Sequence, residues 1–97
     1  MEKLLASIAT RMKYIRSNSE NAFILKSLDI IDIKLSELKE RKYTSVAVVE
    51  SICDHVVSYD IQRMKGVTGE SNMVYKKMDE LAGFIEELKT AYFEENK

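Results

Sequence analysis

Two apolar stripes dominate the pattern of this chain. Ile24, Leu28, Ile31, Leu35 and Leu38 form one, and Val74, Met78, Leu81, Ile85, Leu88 and Tyr92 form the other. Both advance in alternating steps of four and three, the spacing of a helix face that packs lengthwise on another helix. The first stripe predicts a helix over 18–41 and the second a helix over 71–94. Each lasts about three heptads at most, which is short for a free-standing coiled coil. The stripes therefore read as long walls of one closed bundle.

The intervening segments supply the remaining walls. Leu4, Leu5, Ile8, Met12 and Ile15 share one face of a helix over 2–16, with Arg11, Lys13 and Arg16 mostly off it. Ser17 and Glu20 have the spacing of a capping box, which would open the second helix. Thr44 or Ser45 can cap a third helix over 45–65, with Tyr43 packing back as a staple. That segment is rich in valine, a strand former. Yet Val49, Ile52, Cys53, Val56 and Val57 recur at helical spacing, and no second strand is available to pair with it. Gly66, preceded by Arg63 and Lys65, stands where a helix C-cap glycine belongs. The fold expected is all-α: a compact four-helix bundle with short loops, one domain over 1–97.

Composition agrees with that picture. The chain has 97 residues, no proline and three glycines, so long helices meet few breakers. A chain this size buries roughly 60–70% of its unfolded surface, enough for a core without staples. Its single cysteine, Cys53, excludes an internal disulfide. No apolar run approaches the roughly 18 residues of a membrane span, and the N-terminus does not read as a signal peptide. A soluble, cytoplasmic protein is expected. Net charge is −1, giving no whole-molecule field toward nucleic acid or anionic lipid. Residues 1–48 balance at +3 and residues 49–97 at −4, so the halves can attract each other within a bundle.

Catalytic chemistry finds no support. A nucleophile or proton donor needs a partner within reach. Cys53 and the lone histidine, His55, are two residues apart and diverge on a helix. Asp29 with Asp32, and Glu50 with Asp54, are acid pairs without the histidine that would join them as metal ligands. Gly66-Val67-Thr68-Gly69 lacks the ending of a phosphate-binding loop. Met64, Met73 and Met78 fall near or on the core stripes. No catalytic residue, cofactor or metal is assigned, and an enzyme is not expected.

The order of elements resembles the helical tail domain shared by YqeY-like proteins and the B subunit of tRNA-dependent amidotransferases. The residues carrying this are Leu4-Leu5, Ile24 to Leu28, Thr44 to Val49, Gln62 to Gly66, and Leu81 through Tyr92. The match covers almost the whole chain and corresponds to the N-terminal helical half of that domain. The family's third helix carries a denser basic stretch where this chain has Ser58-Tyr59-Asp60-Ile61. The resemblance implies tRNA contact through Arg63 and Lys65.

Three functions follow as expectations. The first is a small non-enzymatic, regulatory protein-interaction module. Its contact residues would be Tyr14, Tyr43, Tyr59, Tyr75 and Phe93, since aromatics make good interface anchors. Small chains rich in lysine and isoleucine are common among phage and accessory proteins that bind and inhibit a host protein. The second is a tRNA- or RNA-binding module using Arg11, Lys13, Arg16, Lys39, Arg41, Lys42, Arg63 and Lys65. An antiparallel hairpin of the first two helices would hold its first three and next three cations at opposite ends. The third is self-assembly, with the stripes continuing across a homodimer.

Overall fold

The structure, a computed structural model, describes residues 2–40, 42–43 and 45–95. Four helices follow one another: α1 (Glu2–Asn18), α2 (Ala22–Lys39), α3 (46–65) and α4 (Asn72–Glu95). No strand occurs among the described residues. The chain is an all-α four-helix bundle with short loops, 42 × 21 × 18 Å in extent.

Neighbours in sequence are neighbours in space. α1 packs along α4, α4 along α3, and α2 on α1 and on the second half of α3. The direction of each pair shows in its ties. Arg11 meets Glu80 while Lys77 lies over Tyr14, so α1 and α4 are antiparallel. Lys65 meets Asp79 while Lys89 meets Asp54, so α3 and α4 are too. The helices run up, down, up and down, and the two long stripes face the core from diagonal positions.

Both stripes are where the spacing places them. Val74, Met78, Leu81, Ile85, Leu88 and Tyr92 are the buried residues of α4. On α2, Ile24, Leu28, Ile31 and Leu38 are buried and Leu35 packs partly buried beside them. Ile8, Met12 and Ile15 of α1 and Val49, Cys53, Val56, Ile61 and Met64 of α3 complete one continuous core. Met73, expected near it, is exposed instead.

Helix ends depart from expectation in a consistent way. α1 continues through Ser17 to Asn18, so the Ser17–Glu20 capping box does not form. Asn21 caps α2 instead, its Oδ1 accepting from the N–H groups of Phe23 (2.9 Å) and Ile24 (3.1 Å). Asn is as strong an N-cap as Ser, and here it stands directly before the first apolar residues of the helix. Ser45 precedes α3 without a side-chain cap bond, and Thr44 lies outside the described residues. Ser71 caps α4 through the N–H of Val74 (3.2 Å). Gly66 ends α3 in the right-handed region (φ −73°). The left-handed turn falls three residues later, at Gly69 (φ +89°), where a side chain would be strained.

α3 contains a segment that periodicity alone does not reveal. Its turns at Val46–His55 and Gln62–Lys65 are α-helical, but Val56–Ile61 between them is a π-helix. The buried residues explain it. Val49, Cys53 and Val56 step by four and three, but Ile61 follows Val56 by five. A π turn, bonded i to i+5, absorbs the extra residue and returns Ile61 and Met64 to the core. It also leaves Asp60 buried on the α2 side, where Lys34 meets it.

Candidate interaction face

The surface between α2 and α3 is built around that π segment. Lys34 Nζ lies 2.6 Å from Asp60 Oδ2, an ion pair with the carboxylate buried and the lysine half-buried. One turn outward, Arg63 stacks on two rings, 4.7 Å from the centroid of Phe23 and 5.1 Å from that of Tyr59. Its Nη1 donates to the Tyr59 hydroxyl at 2.9 Å. Tyr59 in turn stacks on His55, with centroids 4.8 Å apart. The result is a ladder of Phe23, Arg63, Tyr59 and His55 across two helices, held by cation–π and stacking contacts.

The same two helices expose apolar side chains to water. Ile33 is 62% exposed, Tyr59 47% and Ile30 39%, with Val48 and Phe23 close to the last. Five of the seven exposed large hydrophobics among the described residues thus lie on α2 and α3. Large apolar side chains gathered on one face mark interaction surfaces, whereas single ones scattered over a protein do not.

The aromatic residues marked from sequence divide in two. Tyr59 and Phe93 are exposed. Tyr14, Tyr43 and Tyr75 pack against the core edge. The Tyr43 hydroxyl donates to Glu37 at 2.6 Å, and its carbonyl accepts from Tyr92 at 2.8 Å. That bond to Glu37 raises the Tyr43 pKa and lowers that of Glu37. The Tyr75 hydroxyl donates to the carbonyl of Val67. Phe93 sits apart, beside a cleft of about 260 Å³ bordered by Val46, Val49 and Lys89. The five do not form one surface.

The marked cations are mostly engaged. Arg11 pairs with Glu80 and lies over Phe84, and Lys65 pairs with Asp79. Lys42 pairs with Glu37 at 3.5 Å. Arg16 bridges Asp29 (2.8 Å) and Asp32 (3.0 Å), so this acid pair holds a guanidinium. Lys13 and Lys39 are exposed, at opposite ends of the α1–α2 hairpin. Arg63 is the cation of the stacked ladder, and Arg41 lies outside the described residues. Among the described residues the marked cations do not converge.

Nucleophilic chemistry is equally dispersed. Cys53 is buried, and burial pushes its thiol up to about 11, while His55 is exposed on the other side of the helix. Among the described residues no three His, Cys, Asp or Glu side chains group as a metal site would require. No described helix is long and apolar enough to cross a membrane. Comparison with protein-family models, curated proteins and solved structures finds no match.

Sequence reasoning missed this face although its signal was present. Phe23, Ile30 and Ile33 recur at spacings of seven and three, as the core stripe does, but stand among the charges Lys26, Asp29, Asp32, Lys34 and Glu37 of the same helix. Asp60 gave no signal, because its burial depends on the π turn.

Proposed function

We propose that this chain is a non-enzymatic protein-interaction module that docks a protein partner on the α2–α3 face. One observation carries the reading: five exposed large hydrophobics lie on two adjacent helices, two of them under a stacked arginine that joins the helices. Arginine and tyrosine beside aliphatic side chains are the composition of interface hot spots. The dispersal of the other cations weighs against an RNA-binding role, which needs a basic face. Small size and the lysine- and isoleucine-rich composition support the narrower reading of an accessory protein that restrains a host protein.

The test is a pull-down from the native host cell, with and without nuclease, using wild type and the variants Ile33→Asp and Arg63→Ala. The expected result is a protein that survives nuclease and is lost from both variants. Recovery of RNA alone, or of a protein that both variants retain, overturns the reading. A tRNA gel shift that weakens steeply with salt would place the chain with the RNA-binding alternative instead.

A further inference from the structure

The outer side of α2 carries a second stripe, distinct from the one in the core. Phe23, Lys26, Ile30, Ile33, Glu37 and Glu40 advance by three, four, three, four and three. This is heptad spacing, and the two isoleucines at its centre are exposed. A solvated helix side has no need of isoleucine at both central seam positions. The charges are ordered as well: the cation is on the N-terminal side of the isoleucines and the acids are on the C-terminal side.

That order is self-complementary. If a second α2 lies antiparallel, with the twofold axis between residues 31 and 32, each layer joins positions whose numbers are mirrored about that axis. Ile30 then meets Ile33 of the second copy, and Lys26 meets Glu37 of the second copy. Each layer occurs twice, because a twofold interface is isologous. Phe23 and Glu40 of the second copy close the two ends. In a parallel pairing, Lys26 would face Lys26 and Glu37 would face Glu37, so charge selects the antiparallel form. Glu37 already accepts from Tyr43 and Lys42, but a carboxylate has lone pairs for a further donor. Tyr43 also holds Glu37 in place for it.

We propose that the α2 face is the seam of a symmetric homodimer in which α2 packs antiparallel on its copy through Lys26, Ile30, Ile33 and Glu37. The proposal rests on the reading of the α2–α3 surface as an interaction face, and it names a second copy of this chain as a partner. Association places apolar surface at the centre and a charge pair on each side, the pattern that fixes both affinity and orientation.

The experiment is sedimentation velocity from low to high micromolar concentration on wild type, Lys26→Glu, Glu37→Lys and Ile33→Asp, with folding of each checked by circular dichroism. Wild type should approach twice the 11.2 kDa chain mass. Lys26→Glu and Glu37→Lys each make both charge layers repulsive and should raise the dissociation constant about tenfold or more. Mixing the two variants should restore the dimer, because every layer of the heterodimer is then attractive. Ile33→Asp should be monomeric, which tests the seam even where Glu37→Lys perturbs its own helix end. A monomeric wild type overturns the proposal, as does a dimer indifferent to Lys26→Glu and Ile33→Asp. If wild type is monomeric yet captures a foreign protein through Ile33, self-pairing fails and the docking reading stands. If wild type is dimeric but captures nothing, the reverse holds.

Discussion

Cations lie over aromatic rings on both sides of this bundle, with opposite results. Between α1 and α4, Arg11 covers Phe84 and Lys77 covers Tyr14, and both cations also reach Glu80. Those rings pack against the core, and one carboxylate meets both cations. Between α2 and α3, Arg63 covers Phe23 and Tyr59, both exposed, with no carboxylate on it among the described residues. The same contact closes one side and leaves the other presenting apolar area and positive charge together. An acid decides between them: half-buried Glu80 meets both cations, whereas buried Asp60 pairs with Lys34 and leaves Arg63 without a carboxylate.

The sharpest way to break this comparison is to truncate one aliphatic residue on each side. Leu81 is fully buried on α4, so Leu81→Ala leaves a cavity and should cost about 3 kcal/mol. Ile33→Ala, at the most exposed large hydrophobic among the described residues, should stay within about 0.5 kcal/mol. Urea unfolding at a protein concentration where sedimentation shows monomer measures both, so that loss of a dimer contact does not count. A comparable loss at Ile33 would mean that its side chain supports the fold and is not held out for a partner.

The difference between these two residues also explains what the sequence could reveal. Leu81 belongs to a stripe whose spacing predicts both the helix and its buried face, and α4 lies within one residue of that prediction. Ile33 has the same spacing, but periodicity says only which residues share a face, not which face finds a neighbour. Two stripes on one helix leave that choice to the tertiary fold. The start of α2 was lost to a similar degeneracy, since Ser17 and Asn21 can both cap and the run-on of α1 removes the first. The π turn lay beyond pattern reading because a step of five between Val56 and Ile61 looks like a lapse in periodicity. Asp60, and the ladder of Arg63 and Tyr59, depend on that turn.

A smaller effect separates the two acids. Asp60 is buried with its charge facing Lys34, so Lys34→Ala strands a carboxylate in the protein. The expected loss is about 2 kcal/mol, below that of a fully buried pair because part of the lysine reaches water. Replacing both partners, Lys34→Met with Asp60→Leu, should recover most of it, because no unpaired charge remains. Chemical denaturation of the three proteins checks this. If the double variant is no more stable than Lys34→Ala, the π turn needs the ion pair itself, and the α2–α3 side is held by charge more than by packing.

The smallest effect is on pH dependence, and it belongs to the sealed side. Burial alone would raise the Glu80 pKa, but Lys77 and Arg11 outweigh it and hold the carboxyl below its ordinary 4.5. A carboxyl whose folded-state pKa is lowered stabilises the fold while it is ionised. That contribution is complete above the unfolded value and is lost as pH falls through the folded one. Wild type should therefore weaken on acidification from about 4.5 downward. Glu80→Gln should be less stable at neutral pH but show a shallower acid limb, keeping the share of Glu37, whose pKa is also lowered. Arg63→Ala should leave the slope of that limb as in wild type, since no acid among the described residues faces this cation. Urea midpoints across the acid range decide it. If Arg63→Ala flattens the limb as Glu80→Gln does, the two ring-bound cations are electrostatically alike, and the contrast between the closed and open sides rests on exposure alone.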